Sequence, residues 1–188
     1  MAPFNCYTFV DVSYLDDFAG VACIITSATK PWPALRSYTA ILENICHYEP
    51  GNFYKRELPC ILDVFKKIEE HVSTIFVDAY VWLPDGRPGL GARLYYTLNE
   101  RIAVVGIAKN SFMTAKESGV VKRIFRGSSR RPLFITAAGI LLEEAAKTVS
   151  RLPGPFRIPL PVQTAHTLSR RILTCETTIK RKSYGHKG

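Results

Sequence analysis

Residues 74–80 read TIFVDAY, and residues 7–14 read YTFVDVSY. Each is a run of β-branched and aromatic residues that ends on a carboxylate. An unbroken apolar run suits a strand covered on both faces, as in a sheet with helices on each side. A carboxylate at the edge of such a strand is costly to desolvate without a partner. Asp after a strand also opens ordinary turns, so a single instance carries little. Two strands with an acid in the same place can bring Asp11 and Asp78 to one site. That recurrence constrains the fold more than any other feature of the chain.

The remaining pattern surrounds these two strands with further elements. Strands are expected over residues 6–14, 20–27 and 37–45, joined by short connections that favour an antiparallel meander. After the loop HYEPGNFYKRE, Leu58, Ile61, Leu62, Phe65 and Ile68 recur near helical spacing, which predicts an amphipathic helix over residues 57–71. TIFVDAY is the fourth strand, and WLPDGRPG carries turn chemistry. A helix over LGARLYYTLNE, a strand over residues 102–109, a basic strand in VVKRIFRG and an apolar one in RRPLFITAAG follow. The final helix is expected at residues 140–152, stopped by Pro153, Gly154 and Pro155. Three antiparallel strands followed by strands alternating with helices indicate an α/β class. The order fits a ribonuclease-H-like mixed β-sheet flanked by helices. Residues 1–175 form one domain on this reading, and 176–188 a basic, flexible tail.

Length and composition set the outer bounds. A chain of 188 residues with 47% apolar content makes one domain with a sizeable core. The net charge of +9 points to an anionic partner, nucleic acid first and a membrane surface second. No stretch approaches the roughly 20 apolar residues that span a bilayer, and MAPFNCYTF lacks the features of a signal peptide. Cys6, Cys23, Cys46, Cys60 and Cys175 contain no CxxC pair. They read as reduced residues of a cytoplasmic protein, without a zinc site or a disulfide framework.

Metal-assisted phosphodiester cleavage needs hard oxygen ligands around Mg²⁺, which takes one or two protein carboxylates and keeps several waters. Such an ion polarises a phosphoryl oxygen and offsets charge on the leaving oxygen. Asp11 and Asp78 suit two of those ligands. Glu57 is a third at the start of the expected helix, where the helix dipole would also favour a purely structural glutamate. The run VKRIFRGSSRR, with Lys122, Arg123, Arg126, Arg130 and Arg131, suits either phosphate contact or a solvated basic hairpin.

The segments VDVSY, YEPGNFYKRE, IFVDAY, VVGIAKN and RPLFITAAG occur in that order between residues 8 and 166. Together they resemble the endonuclease V family. The resemblance implies a ribonuclease-H-like fold, DNA or RNA as partner, and Mg²⁺ (or Mn²⁺) as cofactor. It implies nicking of nucleic acid 3′ of deoxyinosine, or of inosine in RNA. By position, Asp11, Glu57 and Asp78 match the three metal-site carboxylates, and Lys109 matches a lysine near the scissile phosphate. Tyr48, with Pro50 beside it, matches an aromatic wedge that separates the lesion base from its neighbour. Gly106 and Gly139 match backbone positions near the base pocket and the catalytic edge.

The chain departs from the family in three places. AYVWLPDGRPG stands where Gly-His-Gly and His-Pro-Arg are usual, and ITAAGI has Gly139 in place of a histidine. An N-terminal helix is not expected before Asp11. His166 in VQTAHTLSR is read first as a surface or structural histidine, and second as a replacement proton-transfer group. Two functions are therefore expected: a metal-dependent endonuclease, or a nucleic-acid-binding protein that retains the fold with little catalysis. Neither membrane attachment nor an obligate protein partner is indicated.

Overall fold

A computed structural model describes residues 5–43, 45, 52–83, 85–111 and 119–184, excepting the side chains of 176–184. β1 (Cys6–Leu15), β2 (Phe18–Ser27) and β3 (Ala34–Glu43) form the antiparallel meander. α1 (Phe53–Phe65) leads to β4 (Val72–Val77), α2 (Leu90–Thr97) and β5 (Ala103–Ala108). A short β6 (Lys122–Ile124), β7 (Leu133–Ala138), α3 (Leu142–Arg151) and α4 (Leu160–Tyr184) complete the chain. The strands make one seven-stranded sheet in the order β3-β2-β1-β4-β5-β7-β6. β1, β4 and β5 are parallel to one another, and β7 returns antiparallel to both β5 and β6. This is the mixed sheet that the element order predicts.

Both sheet faces are covered, which is why the central strands are apolar without alternation. Val10, Ile75, Val77 and Val104 point to one face, with Ile61 and Val64 of α1 and Leu94 of α2. Phe9, Phe76 and Val105 point to the other, with Val149 of α3 and Val162 and Ala165 of α4. The rings of Phe9 and Phe76 stack across the β1–β4 pair at 4.6 Å between centroids. Cys6, Cys23 and Cys60 are buried free thiols, whereas Cys175 is exposed; Cys46 lies outside the described residues. No described helix is long and apolar enough to cross a membrane.

Two helices differ from expectation. α1 begins at Phe53 and ends at Phe65, so the segment carrying Ile68 lies beyond it. Pro59 sits in its second turn, where the missing N–H leaves the helix otherwise continuous. α4 is a 25-residue helix where a loop and tail were expected, and the expected boundary at residue 175 falls inside it. Its inward face is built from small and polar residues, Ala165 and Ser169 with Leu173, so its apolar periodicity is weak. Small residues let it lie close to the sheet. A Cβ at Gly20 of β2 would collide with the backbone oxygen of Ser169.

Gly20→Ala is therefore expected to force α4 off β2 and to lower stability by about 1–3 kcal/mol. Chemical denaturation checks this: a midpoint equal to that of the unaltered protein would show that the approach of α4 is not tight.

Candidate active site

The β1–β4 ladder ends at the pair Val10↔Val77. Asp11 and Asp78 are the next residue on each strand, so they occupy equivalent positions on neighbouring parallel strands. Backbones in such a pair lie about 4.8 Å apart. β1 continues past this point only with β2, as far as Leu15. The sheet thus opens between the two acids, and side chains from both faces reach the gap. Glu57 enters from α1 on one face and His166 from α4 on the other. Asp11, Glu57, Asp78 and His166 line a common cavity of about 200 Å³, together with Val12, Phe53 and Leu90. Glu57 lies in the second turn of α1, not at its start, so the helix dipole does not account for it.

Three carboxylates here repel one another, and each has a different compensation. Burial first, and then the charges of Asp11 and Asp78, push the Glu57 carboxyl up to about 9. The guanidinium of neighbouring Arg56, which stacks over the Tyr14 ring at 3.8 Å, opposes this less than the other influences raise it. Asp78 forms an ion pair with the ammonium of Lys109. Asp11 accepts a hydrogen bond at Oδ2 from Ser169 Oγ at 2.6 Å, with His166 Nδ1 at 3.3 Å from the same oxygen. Ser13 Oγ lies 2.7 Å from Ser169 Oγ and extends this polar chain. Among the described residues no three His, Cys, Asp or Glu side chains stand close enough to enclose a metal ion.

A larger groove of about 730 Å³ adjoins the acidic cavity, sharing Phe53, Asp78 and Leu90 with it. Tyr54, Tyr80, Arg87, Arg93 and Lys109 line it. The Arg93 guanidinium lies 3.6 Å from the centre of the Tyr54 ring. An acidic pocket thus adjoins an aromatic and cationic groove, and these are the group types that suit a cation, a phosphate and a flat ring.

The other residues singled out in the sequence fall in several places. Tyr48 and Pro50 lie outside the described residues. Gly106 is buried: the chain leaving Asp78 crosses the sheet directly above it, and a Cβ would collide with the Ala79 carbonyl oxygen. Its glycine permits that crossing. Gly139, at a φ of 74°, packs against Tyr95 and Ala103, the latter at the start of β5. Because β7 is antiparallel to β5, Gly139 lies at the sheet edge opposite Asp78 and Lys109. It is not at the edge that carries the acids. Arg126 is also reassigned, since its guanidinium is buried and donates to the carbonyls of Phe156 (3.0 Å) and Gly154 (3.3 Å), among others. Lys122 is exposed but pairs with Glu143 at 2.7 Å, and Arg123 is exposed.

His166, ranked low from sequence, is at the site, and Ser169 was missed altogether. The available signal was their i, i+3 spacing, which places both on one helical face. It was unreadable without the helix.

Residues 3–167 match the family model described as Endonuclease V. A curated endonuclease V of Dehalococcoides mccartyi is 29% identical over 150 residues, covering 70% of this chain and 66% of that protein's length. The crystal structure of endonuclease V from Streptomyces avermitilis shares the fold at a TM-score of 0.74 and 23% identity, covering 93% of this chain and 84% of its own. Endonuclease V of Ciona intestinalis, in complex with a DNA containing an inosine followed by a ribo-adenosine, gives 0.76 at 18% identity, covering 91% and 87%.

The raised Glu57 carboxyl has a consequence for the metal-free protein. The folded state holds this proton up to about pH 9, whereas the unfolded chain releases it near 4.5. Its contribution to stability is present below 4.5 and is lost as pH rises through 9. Glu57→Gln, which cannot ionise, is expected to raise the melting temperature by a few degrees at the alkaline end of that window and to change little at the acidic end. Thermal melts in chelator across this range test it, and an equal effect at both ends would contradict the assignment.

Proposed function

The chain belongs to the endonuclease V family, and we propose that it hydrolyses a phosphodiester bond in DNA or RNA near a deaminated base, with Mg²⁺ or Mn²⁺ held by Asp11, Glu57 and Asp78. The observation that carries this reading is the meeting of three acids from β1, α1 and the end of β4 at one cavity. The donor set fits a hard divalent cation in type, being all carboxylate oxygen. Glu57 is buried, with no ion-pair partner among the described residues, which is costly unless a proton or a cation compensates it. When bound, a divalent ion would supply Lewis-acid polarisation of the phosphoryl group and a lowered pKa for the attacking water.

The chain's own groups supply positioning and proton transfer. Ser169 fixes the Asp11 carboxylate by its hydrogen bond to Oδ2. His166, exposed on its outer side and 3.3 Å from Asp11, is placed to accept a proton at the edge of the cavity. This gives the site a histidine despite the absence of those usual in the family. Lys109 at the end of β5 stabilises negative charge on the phosphate once it leaves Asp78. The adjoining groove is large enough to receive an extruded base. Tyr54 and Tyr80 offer it aromatic faces, and unstacking is cheapest for a mismatched or damaged base. The basic charge of the chain favours any polyanionic strand. Buried free thiols fit an intracellular setting.

One observation favours the second reading, a binding protein without turnover: Lys109 already pairs with Asp78, and among the described residues the acids do not gather as a closed ligand set. Incubation with inosine-containing oligonucleotides and Mg²⁺ or Mn²⁺ separates the two. A nuclease is expected to nick them, with Asp11→Ala and Asp78→Ala slowed by at least about 1,000-fold and His166→Ala by about 100-fold. No nick above the Asp78→Ala background, with strand binding intact in every variant, would leave the binding protein as the correct reading.

A further inference from the structure

Large hydrophobic side chains are exposed singly on most proteins, but two here lie on touching backbone segments beside the sheet edge that carries Lys109. Phe125 and Phe156 are 63% and 64% exposed. The ladder register locates the first. Ala108 pairs with Phe134, and Ile124 pairs with Leu133. Lys109 and Phe125 therefore leave the sheet at the same edge, two strands apart, or about 10 Å.

The second aromatic is tied to the same edge by two buried or half-buried arginines. Arg126, next to Phe125, donates to the carbonyl of Phe156 at 3.0 Å. A Cβ at Gly127 would collide with the Pro155 carbonyl oxygen, so the two segments lie in direct contact. Arg157 donates to the carbonyls of Lys109 and Pro132, the latter at 2.7 Å. The chain thus spends two guanidinium groups on holding Phe156 beside Phe125 and the end of β5. Arg130 and Arg131 are exposed on the connection into β7, just before Pro132.

We propose that Phe125 and Phe156, flanked by Arg130 and Arg131, form a stacking surface for unpaired bases of a single-stranded nucleic acid running from the Lys109 edge. This rests on the nuclease reading only for the direction in which the strand continues. Rings fixed at the backbone and open at the face suit base stacking, and the arginines suit the phosphates between stacked bases. A paired duplex keeps its base faces covered and cannot use the rings. The surface therefore selects substrate whose bases are unpaired beyond the cleaved bond, a specificity that neither the acidic cavity nor the groove supplies.

Fluorescence anisotropy with a labelled oligothymidylate, and with the same strand annealed to its complement, tests this in chelator, where no cleavage intervenes. Joint replacement of Phe125 and Phe156 by Ser is expected to weaken single-strand binding at least about tenfold and to leave duplex binding within about twofold. Joint replacement by Trp, which keeps a π face, is expected to retain single-strand affinity. Replacing Arg130 and Arg131 by Ser is expected to lower the salt slope of single-strand binding by about 0.7 per lost phosphate contact. Unchanged single-strand affinity in the Ser variant, equal losses on single strand and duplex, or loss in the Trp variant as large as in the Ser variant would overturn the proposal. Nicking is scored separately. A chain that binds unpaired strands through the rings but never cuts would refute the nuclease and keep the surface, and one that cuts with no role for the rings would do the reverse.

Discussion

The structure depends on how three carboxylates are tolerated where the parallel β1–β4 ladder stops. Up to Val10↔Val77 the two strands are apolar and covered on both faces. One residue later each presents an acid, and a third acid arrives from α1. Desolvation and mutual repulsion at such a point amount to several kcal/mol. The surroundings of the cavity are a set of local answers to that cost. Glu57 keeps a proton well above its usual range, Asp78 takes Lys109, and Asp11 takes a hydroxyl and faces an imidazole. A sheet that served only for packing would place apolar or small residues there.

The same constraint explains why the ends of the chain matter to a site built on its centre. α4 delivers both His166 and Ser169, and its close approach to β2 over Gly20 holds them against Asp11. The crossing of the chain above Gly106 carries residues 79–81 away from Asp78, with Val81 N donating to Thr136 Oγ1 at 2.7 Å. That crossing shapes the groove beside the acids. Packing glycines thus act on the chemistry indirectly, by permitting backbone approaches that place other groups.

How much of this was legible in the sequence follows from what each residue's neighbours are. Asp11 and Asp78 could be read because long apolar runs announce buried central strands, and the acid at the end of each stands out. Glu57 is legible as an acid beside the sheet, but the helix that carries it starts at Phe53, four residues before the start that the apolar spacing from Leu58 onward indicates. α4 was lost because a helix facing sheet with Ala and Ser has no strong apolar period. Gly139 was assigned to the wrong edge because strand direction is a property of the sheet, and a local motif does not carry it. Arg126 was read as part of a basic patch because composition does not distinguish a guanidinium that faces solvent from one capping five carbonyls.

That last distinction changes the meaning of the basic charge. Arg126 is spent inside the fold, and Lys122 is offset by Glu143. Besides Arg56, Arg87 and Arg93 around the cavity and its groove, positive groups stand along one sheet edge: Lys109, then Arg130 and Arg131 beyond Arg157. Lys109 is the hinge of this arrangement. While it pairs with Asp78 it lowers the repulsion among the acids and is withheld from any phosphate. A cation that relieved the acids would remove the reason for that pairing and free the ammonium for the strand. On the proposed nuclease reading, a single lysine at the end of β5 would couple the state of the acidic cavity to the charge presented along the edge where the strand would lie.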